Sequence, residues 1–275
     1  MLIDERRDLS IPELTRSYVK TGRPVVLRGG ASHWPALRQW TLEHLRSLGA
    51  DLPVEVEVGN AMQGSNPRLR MTLGAYIDAL QSGEAERGQW YLAVFDAFGL
   101  FPHLLEDVSF NFLQGRKMHY RRAWIGARGT ISGLHYDIFD NVLAQVSGRK
   151  LLKLVSPEQS DCVYVSRKYD FLTYPSEVTV EAWDRERHPR FAEADVAEVI
   201  LEPGDVLFIP KKWWHYTCAL DTSISVNSGG ASTFEVLQAT PHFVLDALHC
   251  LRLYRWGWCA CHQPVIQASA HQEGA

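Results

Sequence analysis

Hydrophobic and polar positions follow three successive regimes along the chain. Up to residue 119, strand-like and helix-like spacings alternate. From 120 to 228, short strand-like apolar runs are separated by turns. From 229 to 275, apolar positions return at helical intervals. In the first part, Ile11-Pro12-Glu13-Leu14 predicts a short helix with proline in its first turn. Residues 24–28 read as a buried strand closed by Gly29-Gly30. Thr41 opens a capped helix with Leu42, Leu45 and Leu48 on one face. Residues 54–58 alternate as a half-exposed strand, 71–80 predict an amphipathic helix, and 90–94 predict another strand.

The middle part predicts eight strands, over 121–126, 133–138, 142–147, 150–155, 196–201, 206–210, 214–219 and 223–227. Gly148, Pro157, Gly204 and Pro210 punctuate them. That pattern indicates a mainly β fold, a jelly roll of two sheets with an N-terminal α/β elaboration and C-terminal helices. The connection 157–195 has no clear period. Its aromatics Tyr164, Tyr169, Phe171 and Tyr174 argue for order, so it reads as a substrate-facing loop. After Asn227 the helical pattern is broken at Pro241 and resumes with Phe243, Val244, Leu245, Leu248 and Leu251. The apolar end that follows, with Leu253, Tyr254, Trp256 and Trp258, suits either packing on the domain or a helix pair in a homodimer. No repeat or linker divides residues 1–275, which are expected to form one domain.

Composition narrows the function classes. A hydrophobic share of 46% and a charged share of 22% are those of an ordinary globular protein. A net charge of −4 provides no global field for nucleic acid or anionic membrane. The charged start and the absence of a long apolar run predict no signal, no membrane span and a cytoplasmic setting. Five cysteines are too sparse for a disulfide framework. Cys259-Ala260-Cys261-His262 could suggest a second metal, but it matches no common zinc spacing and reads instead as a tail with incidental thiols. Arg116, Lys117, Arg121, Arg122 and Arg128 form a run without acids between Asp107 and Asp137. It is either a solvated face or a rim for an acidic partner or phosphate backbone.

The candidate chemistry is His135-Tyr136-Asp137, joined far downstream by Trp213-Trp214-His215. On a strand, His135 and Asp137 project to one side. Two imidazoles and one carboxylate are the set that holds a ferrous ion by one face and leaves positions open. Tyr136 is expected to point away into core, Trp213 and Trp214 to pack beside the ligand strand, and Asp140 to end a turn. Lys150 and Lys153 fall on opposite faces of an apolar strand, and alternation does not say which is buried.

The stretch from His135 to Pro157 resembles the JmjC-type cupin oxygenases, which use iron(II), 2-oxoglutarate and dioxygen on a double-stranded β-helix. It is most similar to their small hydroxylase branch, which includes the asparaginyl hydroxylase of the hypoxia response and the tRNA wybutosine hydroxylase. Residues 24–29, Trp34-Pro35, Trp40, 71–76 and 104–107 extend the likeness over most of the chain. The resemblance implies that His135, Asp137 and His215 are iron ligands. It assigns Lys150, rather than Lys153, to the distal carboxylate of 2-oxoglutarate, with Ser132 and Tyr91 as partners. Asn141 and Asn227 would line the cosubstrate and metal. It further implies oxidative decarboxylation to succinate and CO2, coupled to hydroxylation of a C–H bond. The substrate would be a peptide or protein side chain; a modified tRNA nucleoside, a small-molecule metabolite or an N-methyl group are the alternatives. A metal-binding scaffold or sensor is the non-enzymatic alternative. Ser228-Gly229-Gly230-Ala231-Ser232 stands where asparaginyl hydroxylases carry aromatics, which implies a smaller and more open wall near the metal.

Overall fold

The computed structural model describes residues 2–268 apart from 65, 114 and 117, so Lys117 of the basic run and residues 269–275 of the C-terminal segment lie outside the described residues. Five strands precede the central region: β1 (Asp4–Arg6), β2 (Val25–Leu27), β3 (Pro53–Val58), β4 (Arg68–Thr72) and β5 (Trp90–Phe95). The central region holds β6 (Met118–Gly126), β7 (Ile131–Asp137), β8 (Asp140–Ser147), β9 (Lys150–Val155), β10 (Thr173–Pro175), β11 (Ala197–Leu201), β12 (Val206–Ile209), β13 (Trp214–Ala219) and β14 (Ser223–Ala231). A last strand, β15 (Val265–Gln267), follows two helices, Thr233–Gln238 and Thr240–Cys250.

Each of the eight strands predicted for the middle part is present, and they divide between two sheets. β12, β8, β14 and β6 are consecutive in a ten-stranded sheet that runs β1-β2-β12-β8-β14-β6-β5-β3-β4-β15. β7, β13, β9 and β11 make a five-stranded sheet with β10 at its edge. Strand alternation then builds three apolar layers. Between the sheets, Leu143, Leu207 and Ile209 of the large sheet pack with Leu152, Leu154, Val199 and Leu201 of the small one. On the outer face of the large sheet, Val25, Val142, Phe208 and Ile125 bury against the N-terminal helices through Leu14, Leu45, Tyr76 and Ile77. On the outer face of the small sheet, Leu134, Val155, Trp214 and Tyr216 are covered by Val163, Val180 and Phe191 from the long connection. This is a cupin-type double sheet whose larger half is extended by N-terminal strands on both sides.

Three local expectations change. Met71 and Thr72 belong to β4 and not to the following helix. Thr72 is extended (φ −84°, ψ 155°), and its hydroxyl accepts from Ala75 N, so it caps the helix Leu73–Gln81. β14 runs to Ala231, past the expected end at 227, although Ser-Gly-Gly-Ala has little strand preference. Pairing on both edges carries it: Gly229 sits between Tyr120 and Asn141. The open wall expected there is also absent. A Cβ on Gly229 would lie 2.0 Å from Cζ of Tyr120, so the tyrosine ring fills the space that the glycine leaves.

The long connection is ordered by a short 3-10 helix at Pro157–Cys162 and by β10, which pairs with β7. The basic run is largely committed to acids: Arg116 to Asp140 and Glu235, Arg122 to Asp96, and Arg128 to Glu86. Arg121 lies over the Phe110 ring. Asp140 does more than end a turn, since it is buried and also accepts from Lys211 N at 3.0 Å. The C-terminal helices pack through Val236 and Phe243 against Phe139, while Phe234, Leu237 and Val244 stay exposed.

Candidate active site

His135 on β7 and His215 on β13 are direct cross-strand partners, with ring centroids 4.1 Å apart. Asp137 follows on the same face of β7, and its Oδ2 lies 3.9 Å from His215 Nε2, too long for a hydrogen bond. One donor atom from each residue falls within 4.8 Å of the others. The ladder shifts register just after His215, a bulge that re-aims side chains beside the site.

Backbone carbonyls fix both rings. His135 Nδ1 lies 2.6 Å from Gly133 O and His215 Nδ1 lies 3.0 Å from Trp213 O, so each Nδ1–H donates and each Nε2 lone pair is left free. Burial, reinforced by His215, lowers the His135 pKa to about 4, and the imidazole stays neutral. The carboxylate is held as well: Asp137 Oδ1 accepts from Thr173 Oγ1 at 2.9 Å, and Oδ2 faces Asn141 Nδ2 at 3.4 Å. Two neutral imidazoles and an oriented carboxylate suit a divalent first-row ion bound on one face.

A cavity of about 490 Å3 opens from these three residues, in the size range of small-molecule sites. At its inner end, Lys150 Nζ is buried 3.3 Å from Tyr91 Oη. Desolvation lowers the Lys150 pKa to about 7, and no carboxylate pairs with it among the described residues. Lys153 points outward instead, to Glu198. Ser132, Asn141 and Asn227 also line the cavity; Asn227 Nδ2 donates to Asn141 Oδ1 at 3.2 Å. Two buried polar atoms of the lining, Asn227 Oδ1 and Trp124 Nε1, have no partner. An ammonium without a counter-ion, with the unpartnered Trp124 Nε1–H donor in the same lining, is what a site for a small dianion requires; Asn227 Oδ1 can only accept. The residues present therefore fit both a ferrous ion and a dicarboxylate.

Tyr136 turns to the outer face, stacked on Tyr174 with Trp214 against its edge. Trp213 and Trp214 are buried and hydrogen-bonded to Gly22 O and Ser160 Oγ. Sequence reasoning missed Thr173, Tyr120 and Trp124. Thr173 reaches Asp137 only because β10 pairs with β7, and no spacing signal links positions 36 residues apart. Tyr120 lines the cavity opposite Gly229, and burial with Asp137 and Asp140 nearby keeps its phenol protonated.

The cupin-like domain family matches residues 12–228. Lysine-specific demethylase 8 of Xenopus tropicalis is 36% identical over 224 residues, covering 79% of this chain and 50% of that protein. Lysine-specific demethylase JMJ30 of Arabidopsis thaliana is 31% identical over 231 residues, covering 82% and 54%. The tRNA wybutosine-synthesizing protein 5 of Danio rerio is 29% identical over 247 residues, covering 80% and 72%. The chain belongs to the JmjC branch of the cupin-like family, whose members are iron- and 2-oxoglutarate-dependent oxygenases. It spans about half the length of the demethylases that it matches.

Proposed function

We propose that this protein is an Fe(II)- and 2-oxoglutarate-dependent oxygenase that hydroxylates a C–H bond, with a peptide or protein side chain as substrate. The observation that carries the reading is the buried Lys150–Tyr91 pair at the inner end of the cavity that holds the His135, Asp137 and His215 triad. A metal scaffold has no use for an uncompensated ammonium buried in its core, which costs stability unless an anion arrives. When bound, iron and 2-oxoglutarate supply the oxidising chemistry.

The chain's own residues do the rest. His135, Asp137 and His215 would hold the metal by one face, with Thr173 and Asn141 orienting the carboxylate. Lys150, Tyr91 and Ser132 would take the far carboxylate of the cosubstrate. Tyr120 and Trp124 form the wall against which the target side chain is positioned, and the 170–173 segment closes the cavity against water. The pairing of Arg116, Arg122 and Arg128 with acids favours the peptide reading over a phosphate-binding rim.

N-demethylation is the second reading, favoured by the names of two of the relatives. The test is 2-oxoglutarate turnover against methylated and unmethylated peptides, tRNA and small metabolites. Succinate with a +16 Da product supports hydroxylation. Formaldehyde with loss of a methyl group moves the assignment to demethylation, and no substrate-stimulated succinate with any of them overturns the enzymatic reading. Among the described residues no helix is long and apolar enough to cross a membrane. We further infer a cytoplasmic setting from the five unpaired cysteines, and a homodimer through the exposed face at Phe234, Leu237 and Val244.

A further inference from the structure

A second cluster of donors stands at the C-terminal end. His249, in the last turn of the helix Thr240–Cys250, is buried and meets Cys259, Cys261 and His262 from the chain that follows. His249 Nε2 lies 3.0 Å from His262 Nδ1 and 3.3 Å from Cys261 Sγ. His262 Nδ1 is 3.3 Å from Cys261 Sγ and 3.4 Å from Cys259 Sγ. All four donor atoms lie within 4.8 Å of one another. A tetrahedral zinc with bonds of about 2.05 Å to nitrogen and 2.3 Å to sulfur has edges of roughly 3.3 to 3.8 Å. The observed separations sit at or slightly below that range.

Tautomer and environment point the same way. His249 Nδ1 lies 2.6 Å from Tyr254 O, so its N–H is committed to the backbone and the Nε2 lone pair faces the cluster. Hydrogen bonds alone serve the group poorly, since the single His249 Nε2 lone pair is approached both by His262 Nδ1 at 3.0 Å and by Cys261 Sγ at 3.3 Å. One ion satisfies all four at once. Two sulfurs and two imidazole nitrogens are a soft set with a strong preference for zinc, and four protein ligands leave no open position for catalysis.

The surrounding chain has little regular structure of its own and is held mainly through the cluster: Trp256 packs on His249 and His262, and Tyr254 on Tyr169. Between Cys250 and Cys259 it reverses through positive φ at Arg252, Arg255 and Gly257, without regular structure. Leu251, Leu253 and Trp258 are each more than 60% exposed and anchor nothing. A loop that buries so little apolar surface stands to gain from a metal clip. The clip is tied to the roof of the active site. Tyr169 packs on His249 with centroids 4.1 Å apart, Tyr169 N donates to Trp258 O, and Ala260 N donates to Tyr169 O, both at 2.9 Å. The next residues, Asp170 to Thr173, line the cavity, and Thr173 holds Asp137. We propose that His249, Cys259, Cys261 and His262 bind a structural zinc ion that pins the C-terminal tail to the 169–173 segment over the active site.

The test uses the full chain, expressed with zinc and dialysed against a weak chelator. The expected result is about one zinc per chain by mass spectrometry, retained when His135→Ala removes the iron site and lost in Cys259→Ser/Cys261→Ser. Cobalt(II) exchanged into the wild-type chain should give intense tetrahedral d–d and thiolate charge-transfer bands. The nitrogen and oxygen donors of the other site cannot produce the latter, so this readout survives a double variant that fails to fold. Limited proteolysis of the zinc-stripped protein should cut first within 251–262. Zinc that dialyses away, zinc fully retained in the double variant, or cobalt spectra without thiolate bands would each overturn the proposal.

Discussion

The ammonium of Lys150 lies 3.3 Å from the phenol oxygen of Tyr91, both buried, with no acid paired to the lysine among the described residues. Burial lowers the lysine pKa from 10.5 to about 7, so below that pH the folded protein carries a desolvated cation that the unfolded chain hydrates freely. Lys150→Met removes that cost. It should abolish 2-oxoglutarate turnover while raising the unfolding midpoint at about pH 6, where the penalty is full. A variant that loses turnover and is less stable at that pH would make Lys150 a packing residue instead.

The same shift gives cosubstrate binding a pH dependence. A dianion favours the charged lysine, so its binding raises the Lys150 pKa and draws in a proton wherever the free protein has lost it. The dissociation constant of 2-oxoglutarate should be flat below about pH 7 and rise by up to about tenfold per unit above it. Calorimetry in buffers of different ionisation enthalpy checks the sign, with proton uptake expected above pH 7 and none in Lys150→Met.

Thr173 donates to Asp137 from β10, a strand that exists only because the long connection folds back along β7. Thr173→Val keeps the shape and removes the hydrogen bond. Ferrous affinity should fall by about 10- to 100-fold, the usual effect of losing such a supporting partner. Equilibrium dialysis reads it, and an unchanged affinity would mean that Asn141 orients the carboxylate alone.

Much of this arrangement was legible in the chain. Short apolar runs punctuated by turn residues located all eight core strands, even though β8, β12 and β14 are buried on both faces and do not alternate. His135 and Asp137 share a strand, so their joint projection followed from spacing. Alternation did not separate Lys150 from Lys153, since the outer face of β9 is apolar as well; only tertiary packing exposes Lys153 to Glu198. Thr72 was misplaced because a capping threonine and a helical one look alike to a hydrophobic pattern. The fourth member of the Cys259, Cys261 and His262 group was hidden for another reason: His249 sits on a helix, ten residues before Cys259, and only the reversal at 251–258 brings it there.

Gly229 and Tyr120 make a second close relationship. A methyl group at 229 would occupy the position of the Tyr120 ring, which must then swing into the cavity. Gly229→Ala should cost about 1–3 kcal/mol, typical of an overpacked core, and reduce substrate oxidation far more than ferrous binding. Uncoupled turnover, with succinate formed in excess of product, is the expected signature. Normal coupling would remove Tyr120 from the wall that positions the substrate.

Arg116 separates the two readings of the basic run. Its guanidinium pairs with both Asp140 and Glu235, which tether the start of β8 to the C-terminal helix, and Lys211 Nζ completes the group 2.7 Å from Glu235 Oε1. Asp140 is 95% shielded, and burial raises its pKa even with these partners. Removing the arginine strands a buried carboxylate, so Arg116→Met should cost about 3–5 kcal/mol in denaturant unfolding. Adding Asp140→Asn should recover a good part of that loss, because the stranded charge goes with it. A phosphate-binding rim predicts the opposite pattern: stability unchanged in Arg116→Met, with weaker and less salt-dependent RNA binding. Unfolding curves of the two single variants and the double variant, set beside salt titrations of RNA binding, decide between a brace behind the metal strand and a surface for nucleic acid.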